Sequence, residues 1–162
     1  MIKTSEKAAR LIEGINAFVR DELDPLAKRE GIVWGEPVAK SLLRDIWSRS
    51  CELGFYNAML PETLGGAGLG VADLCALKEA TVLTGSPLAP HILGELSGPP
   101  RVGHLFKVAN QHQVEAFLGP ICRAEKAVCF ALTEAEAGSD ATAIGTEARL
   151  EGEHYVLNGA KR

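Results

Sequence analysis

The chain has 162 residues, 46% of them apolar and 23% charged, and its seventeen basic and twenty-one acidic side chains leave a net charge of −4. That composition excludes a disordered chain, and the length suits one domain or one domain plus part of another. Basic residues are scattered from end to end, so neither nucleic acid nor an anionic membrane surface is an expected partner.

The first 118 residues read as helices. From Ala8 the apolar positions Leu11, Ile12, Ile15, Phe18, Val19 and Leu23 recur at a spacing of three and four, which makes one face of a helix. Thr4 or Ser5 can cap its start, and Pro25 is expected to end it. A second helix is predicted to open at Pro37, where a missing N–H costs nothing. Its stripe is Val38, Leu42, Leu43, Ile46, Trp47 and Leu53, with Gly54 placed to cap the C-terminus.

Residues 59–70, MLPETLGGAGLG, hold Pro61 and four glycines and must form a turn-rich loop. A dinucleotide-binding reading fails on spacing: Gly66 and Gly68 need a third glycine where Val71 stands, and no strand precedes them. Helical spacing resumes over 71–84 through Val71, Leu74, Leu77 and Val82. Shorter helical pieces are expected at about 88–96 and 101–118, divided by Pro99-Pro100.

After Pro120 the pattern changes. Residues 127–132, AVCFAL, form a short apolar run suited to a buried strand. A stretch of small residues from Ala135 to Gly145 interrupts it. EARL (147–150) and HYVL (154–157) then read as two strands joined by a turn and closed by Asn158-Gly159. The expected fold is mainly α: a helical-bundle domain over 1–124, then the start of a barrel-like β domain over 125–162. Three strands do not close a sheet, so the sequence reads as truncated.

The four cysteines, Cys51, Cys75, Cys122 and Cys129, form no CxxC pair. Reduced and mostly buried thiols are expected, with no metal site. No secretory leader is visible, and no apolar run approaches the roughly 20 residues of a membrane span, so the expected compartment is the cytoplasm. His91, His104, His112 and His154 have no HExxH or triad company, and Ser139 lacks the frame of a nucleophile elbow.

The segment able to carry chemistry is FALTEAEAGSD, residues 130–140. A strand end at Leu132-Thr133 leads into small residues with Gly138-Ser139, where successive backbone N–H groups can point at an anion and a hydroxyl can add a donor. An ordinary tight turn accounts for the same residues.

The stretch ALTEAEAGSDATAIGTEARLEGEHYVLNGAKR resembles the opening of the middle domain of acyl-CoA dehydrogenases, whose pattern is L/V-T-E-P-x-A-G-S-D, paired strands, then N-G-x-K. Upstream, LGFYNAMLPETLGGAGLG is similar to that family's glycine-rich loop between helices. The resemblance implies an FAD enzyme that removes the α proton of an acyl-CoA with a carboxylate and passes the β hydride to FAD. It implies that Phe130, Leu132 and Thr133 touch the flavin, and that Gly138 and Ser139 face its pyrophosphate, Ser139 also meeting the CoA part of the substrate. An electron-transfer flavoprotein as electron acceptor and a homo-oligomeric assembly come with it.

The sequence departs from that pattern in two respects. Ala135 stands where the family has proline, which loosens the turn. The helical C-terminal domain that carries the family's catalytic glutamate is not part of this sequence, and none of the glutamates present, Glu134 and Glu136 included, matches that role, so the chain alone is expected not to turn over. Two alternatives belong with this reading. One is an acyl-CoA oxidase or flavin monooxygenase on the same fold; the other is a non-catalytic helical interaction module.

Overall fold

In the computed structural model the described residues, 4–94 and 102–162, form two units, Met1–Ala127 and Val128–Arg162. The boundary at 96–101 and the proline pair predicted there lie outside the described residues.

The helical unit begins with α1 (Glu6–Phe18). Ser5 caps it, its Oγ accepting from the Ala8 N–H at 3.2 Å. Ser5 also donates twice to Asp73, from its N–H at 2.9 Å and its hydroxyl at 2.8 Å, which ties the start of α1 to α4 (Val71–Leu83). The predicted stripe is the buried face: Ile15, Phe18, Val19 and Leu23 are all buried, and Leu11 and Ile12 pack beside them.

Pro25 does not end this helix. Residues Val19–Leu23 form a π-helical turn, and α2 (Asp24–Glu30) continues with Pro25 in its first turn. The Asp24 N–H reaches back to Val19 O, one residue further than an α-helix allows. The widened turn removes the bond that proline could not make and the carbonyl its ring would strike. Gly31, at φ 66°, closes the helix instead.

The next helix, α3 (Lys40–Glu52), starts three residues after Pro37. Ile46 is its buried centre, with Val38, Leu42 and Leu53 packed against the same core, and Gly54 follows at φ 79° as expected. The core joins these residues to Phe55, Ala58, Leu69, Leu77, Leu88 and Ile92.

The stripe predicted for α4 is corrected. Leu77 is fully buried and Leu74 half-buried, but Val71, Val82 and Leu83 are exposed. This helix is apolar on several sides, so its spacing does not single out one face.

Between α3 and α4 the glycine-rich segment folds as a structural loop. A 3₁₀ turn (Glu62–Leu64) leads to Gly65, and backbone bonds from Gly68 N–H to Leu60 O and from Leu69 N–H to Ala58 O, each 2.9 Å, close it. A second small cluster gathers Leu60, Val102, Leu118, Ile121 and Cys122. Leu118 comes from a π turn (Val114–Leu118) that follows the short α5 (Gln111–Gln113), and Ile121 and Cys122 from α6 (Gly119–Cys122). All four cysteines are free, but only Cys122 is buried; Cys75 and Cys129 are exposed and Cys51 is half-buried. No helix among the described residues is long and apolar enough to cross a membrane.

The second unit contains a two-stranded antiparallel sheet, β1 (Glu147–Glu151) and β2 (His154–Asn158), joined at Gly152 (φ 63°) and Glu153. Its register pairs Ala148 with Leu157 and Leu150 with Tyr155, placing these four residues on one face. The strand expected over 127–132 is absent. That segment has no assigned secondary structure and no ladder partner among the described residues, and Val128 and Phe130 are exposed. Apolar character favours a strand only where a neighbouring strand takes up its N–H and C=O groups.

Candidate functional site

The segment from Phe130 to Thr146 lies within the second unit and is organised around Glu134. The Glu134 N–H donates to Ala137 O at 2.9 Å, closing a tight turn between Thr133 and Gly138 in the sequence. Ala137 is buried at 2% exposure, so the turn has a fixed inner corner although Ala135 replaces the expected proline. The carboxylate of Glu134 accepts from the Gly145 N–H at 2.8 Å, from the Thr146 N–H at 3.0 Å and from the Thr146 hydroxyl. Lys161 Nζ completes the set, 2.8 Å from Glu134 Oε1.

These donors, first the Lys161 ammonium, then the Thr146 hydroxyl and the Gly145 N–H, pull the Glu134 carboxyl down to about 2. Asp140 is lowered too, chiefly by the Thr142 hydroxyl, which donates to its Oδ1 at 2.5 Å alongside the Thr142 N–H at 3.0 Å. Glu134 and Asp140 therefore have their acceptor capacity directed into donors of the chain itself, whereas Glu136 is exposed.

The predicted site residues differ in what holds them. Leu132 is half-buried, and its carbonyl accepts from Lys161 Nζ at 3.0 Å. Thr133 is exposed; its carbonyl accepts from the Arg162 N–H at 2.8 Å, while its own N–H and hydroxyl make no hydrogen bond among the described residues. Ser139 is exposed, its N–H and hydroxyl equally without a partner among the described residues, and the space a Cβ would take at Gly138 is open to 4 Å. Phe130 stands apart from the hydrophobic clusters, 87% exposed.

Thr133 precedes the turn, Gly138 and Ser139 follow it, and Phe130 lies three residues further back in the sequence. A set of uncommitted N–H and O–H donors on small residues, with open space beside a glycine, fits a flat polar ring and a pyrophosphate. Glu134 and Lys161 were not picked out as partners. Both stand in the quoted motifs, T-E and N-G-x-K, but no local period links residues so far apart in sequence. No group of three or more His, Cys, Asp or Glu side chains among the described residues is placed to hold a metal ion.

Residues 5–125 match the family model described as "Acyl-CoA dehydrogenase, N-terminal domain". The chain belongs to the acyl-CoA dehydrogenase family. Among curated relatives it is 33% identical over 148 residues to the 3-(aryl)acrylate reductase of Clostridium sporogenes, covering 89% of this chain and 36% of that protein. It is 30% identical over 161 residues to the human mitochondrial short-chain specific acyl-CoA dehydrogenase, covering 99% of this chain and 37% of that one. The crystal structure of an acyl-CoA dehydrogenase from Geobacillus kaustophilus superposes with a TM-score of 0.64 at 24% identity, over 97% of this chain and 39% of that chain. That likeness shows the fold: the family's helical N-terminal domain and the start of its β domain. The chain spans little more than a third of the length of these family members.

Proposed function

We propose that this chain is the N-terminal part of an FAD-dependent acyl-CoA dehydrogenase, with residues 1–124 as its helical domain and 125–162 opening the β domain that contacts the cofactor. FAD, when bound, supplies an acceptor for the hydride of an α,β-dehydrogenation. In this reading Thr133 offers its N–H and hydroxyl to the flavin ring, and Phe130 and Leu132 cover its apolar part. Gly138 lets the backbone approach the pyrophosphate, and Ser139 donates to it and to the CoA portion of the substrate. The chain's own task is to bind and orient; none of its glutamates is assigned the α-proton abstraction. The 162-residue polypeptide alone is therefore expected to show no acyl-CoA oxidation. An electron-transfer flavoprotein as acceptor and a homo-oligomeric assembly complete the proposal.

The observation that carries it is the pair of uncommitted donors, Thr133 and Ser139, on a turn fixed by Glu134. Both residues are exposed, so a ligand can reach donors that have no partner among the described residues. Titration of the chain with FAD, followed by flavin fluorescence, tests it. Saturable binding weakened by both Thr133→Ala and Ser139→Ala is expected. Binding unaffected by either change, or no binding, overturns the assignment of this loop as a flavin half-site.

A further inference from the structure

We propose that Glu134 and Lys161 are positioning residues that hold Thr133 and the 134–139 turn in the geometry a flavin needs; the inference rests on the function proposed above. Three consecutive residues are tethered from one short segment. Lys161 Nζ donates to Leu132 O at 3.0 Å and pairs with Glu134 Oε1 at 2.8 Å, and the Arg162 N–H donates to Thr133 O at 2.8 Å between them. Thr133 is thereby fixed through its carbonyl, while its N–H and hydroxyl remain available. The Glu134 carboxylate, through Gly145 and Thr146, fastens the same point to the residues just before β1.

The pair also solves an electrostatic problem. An anion-accepting loop that carries a bare carboxylate would repel the phosphate it is meant to hold. Here the Glu134 charge is matched by the Lys161 ammonium and by three further donors, while Glu136 on the same turn is exposed to solvent, which screens its charge. Exposed ion pairs contribute little, and Lys7–Glu62 in the helical unit, with side chains 58% and 70% exposed, is of that kind. Lys161 and Glu134 are 26% and 12% exposed, with additional hydrogen bonds on both groups. That is the setting in which a charge-assisted pair fixes geometry.

The test compares wild type, Glu134→Gln, Lys161→Met and Lys161→Arg in the 162-residue chain. Each is titrated with FAD by fluorescence, and amide ¹H–¹⁵N spectra are recorded without FAD. Glu134→Gln and Lys161→Met are expected to weaken FAD binding by about ten-fold or more, since the donors lose their pre-set arrangement. Lys161→Arg keeps a cation with several donors and is expected to stay within about three-fold of wild type. The amide signals of Thr133, Gly138 and Ser139 should shift in the first two variants while those of the β1–β2 pairs stay in place.

Affinity in Glu134→Gln within about two-fold of wild type, against that ten-fold expectation, overturns the positioning role. So do unmoved 133–139 amides. If wild type binds no FAD, the flavin reading fails by itself, and the amide shifts still decide whether the pair sets the loop. If Glu134→Gln loses the hairpin signals, the contrast between Lys161→Met and Lys161→Arg decides the matter, because a loss shared by both rejects the proposal.

Discussion

Gly66 lies against the backbone of Leu60: a Cβ added at position 66 would sit 1.9 Å from the Leu60 carbonyl oxygen and 2.6 Å from that of Asn57. Neither neighbour can yield, since Leu60 O accepts from the Gly68 N–H and Asn57 O from the Leu60 N–H, both at 2.9 Å. Gly66→Ala must therefore break the loop between α3 and α4. A loss on the order of 3 kcal/mol is expected, in the range of overpacked and strained sites. Gly70→Ala is the control, because nothing lies within 4 Å of its Cβ position and its φ of −80° is open to any residue; a change below about 1 kcal/mol is expected there. Urea unfolding of both variants checks the contrast, and equal losses would refute the packing argument.

Ser50 is fully buried in α3, and its hydroxyl donates to Ile92 O across the core. Ser50→Ala keeps the shape but leaves that carbonyl without its donor, at a cost of about 1–3 kcal/mol. Ser50→Cys, with a weaker donor, is expected to fall between alanine and wild type. Thermal melts of the three proteins should give that order, and an alanine variant as stable as wild type would show that the Ile92 carbonyl does not need this bond.

The parts of the fold that could be read ahead were those settled locally. Ser5, the stripe through Leu23, Gly54 and the hairpin over 147–158 each rest on residues a few positions apart. Pro25 misled because a proline forbids one α-helical bond, and whether the chain stops or widens into a π turn depends on whether Val19, Leu23 and Ala27 gain from staying on the core. The run at 127–132 misled because a strand is defined by a partner, which its own sequence does not contain. For α4 the periodicity was too diffuse to choose between Leu77 and Val82. At the candidate site the motif gave the donors, Thr133 and Ser139, but not the Glu134–Lys161 clamp behind them. Sequence shows which groups carry chemistry more readily than what holds them still, since the second depends on tertiary contacts.

Acid should act on the second unit through Glu134. Its carboxyl sits at about 2 in the folded chain against an ordinary value of 4.5. A lowered folded value means that the stabilisation is complete above about 4.5 and is lost as pH falls from there toward 2. The protection of the Gly145 and Thr146 amides from hydrogen exchange should decline across that window. In Glu134→Gln the step should vanish, leaving only the part carried by Asp140, which is lowered by its bonds to Thr142. A wild-type profile that coincides with that of Glu134→Gln would remove Glu134 as the acid-sensitive group.

Phe130 separates stability from binding more sharply than any other residue of the loop. Its ring is 87% exposed and belongs to neither hydrophobic cluster, so the folded chain gains almost nothing by keeping it. Phe130→Ala is expected to change the unfolding free energy by no more than about 0.5 kcal/mol. If the ring covers a flavin, the same change removes an aromatic contact worth about 0.5–1.5 kcal/mol, a loss of roughly two- to twelve-fold in FAD affinity. Thr133→Ala in the same titration provides the comparison for a lost hydrogen bond. Undiminished FAD binding in Phe130→Ala would move the flavin away from the 130–133 edge and leave the Gly138-Ser139 corner as the half of the site still supported.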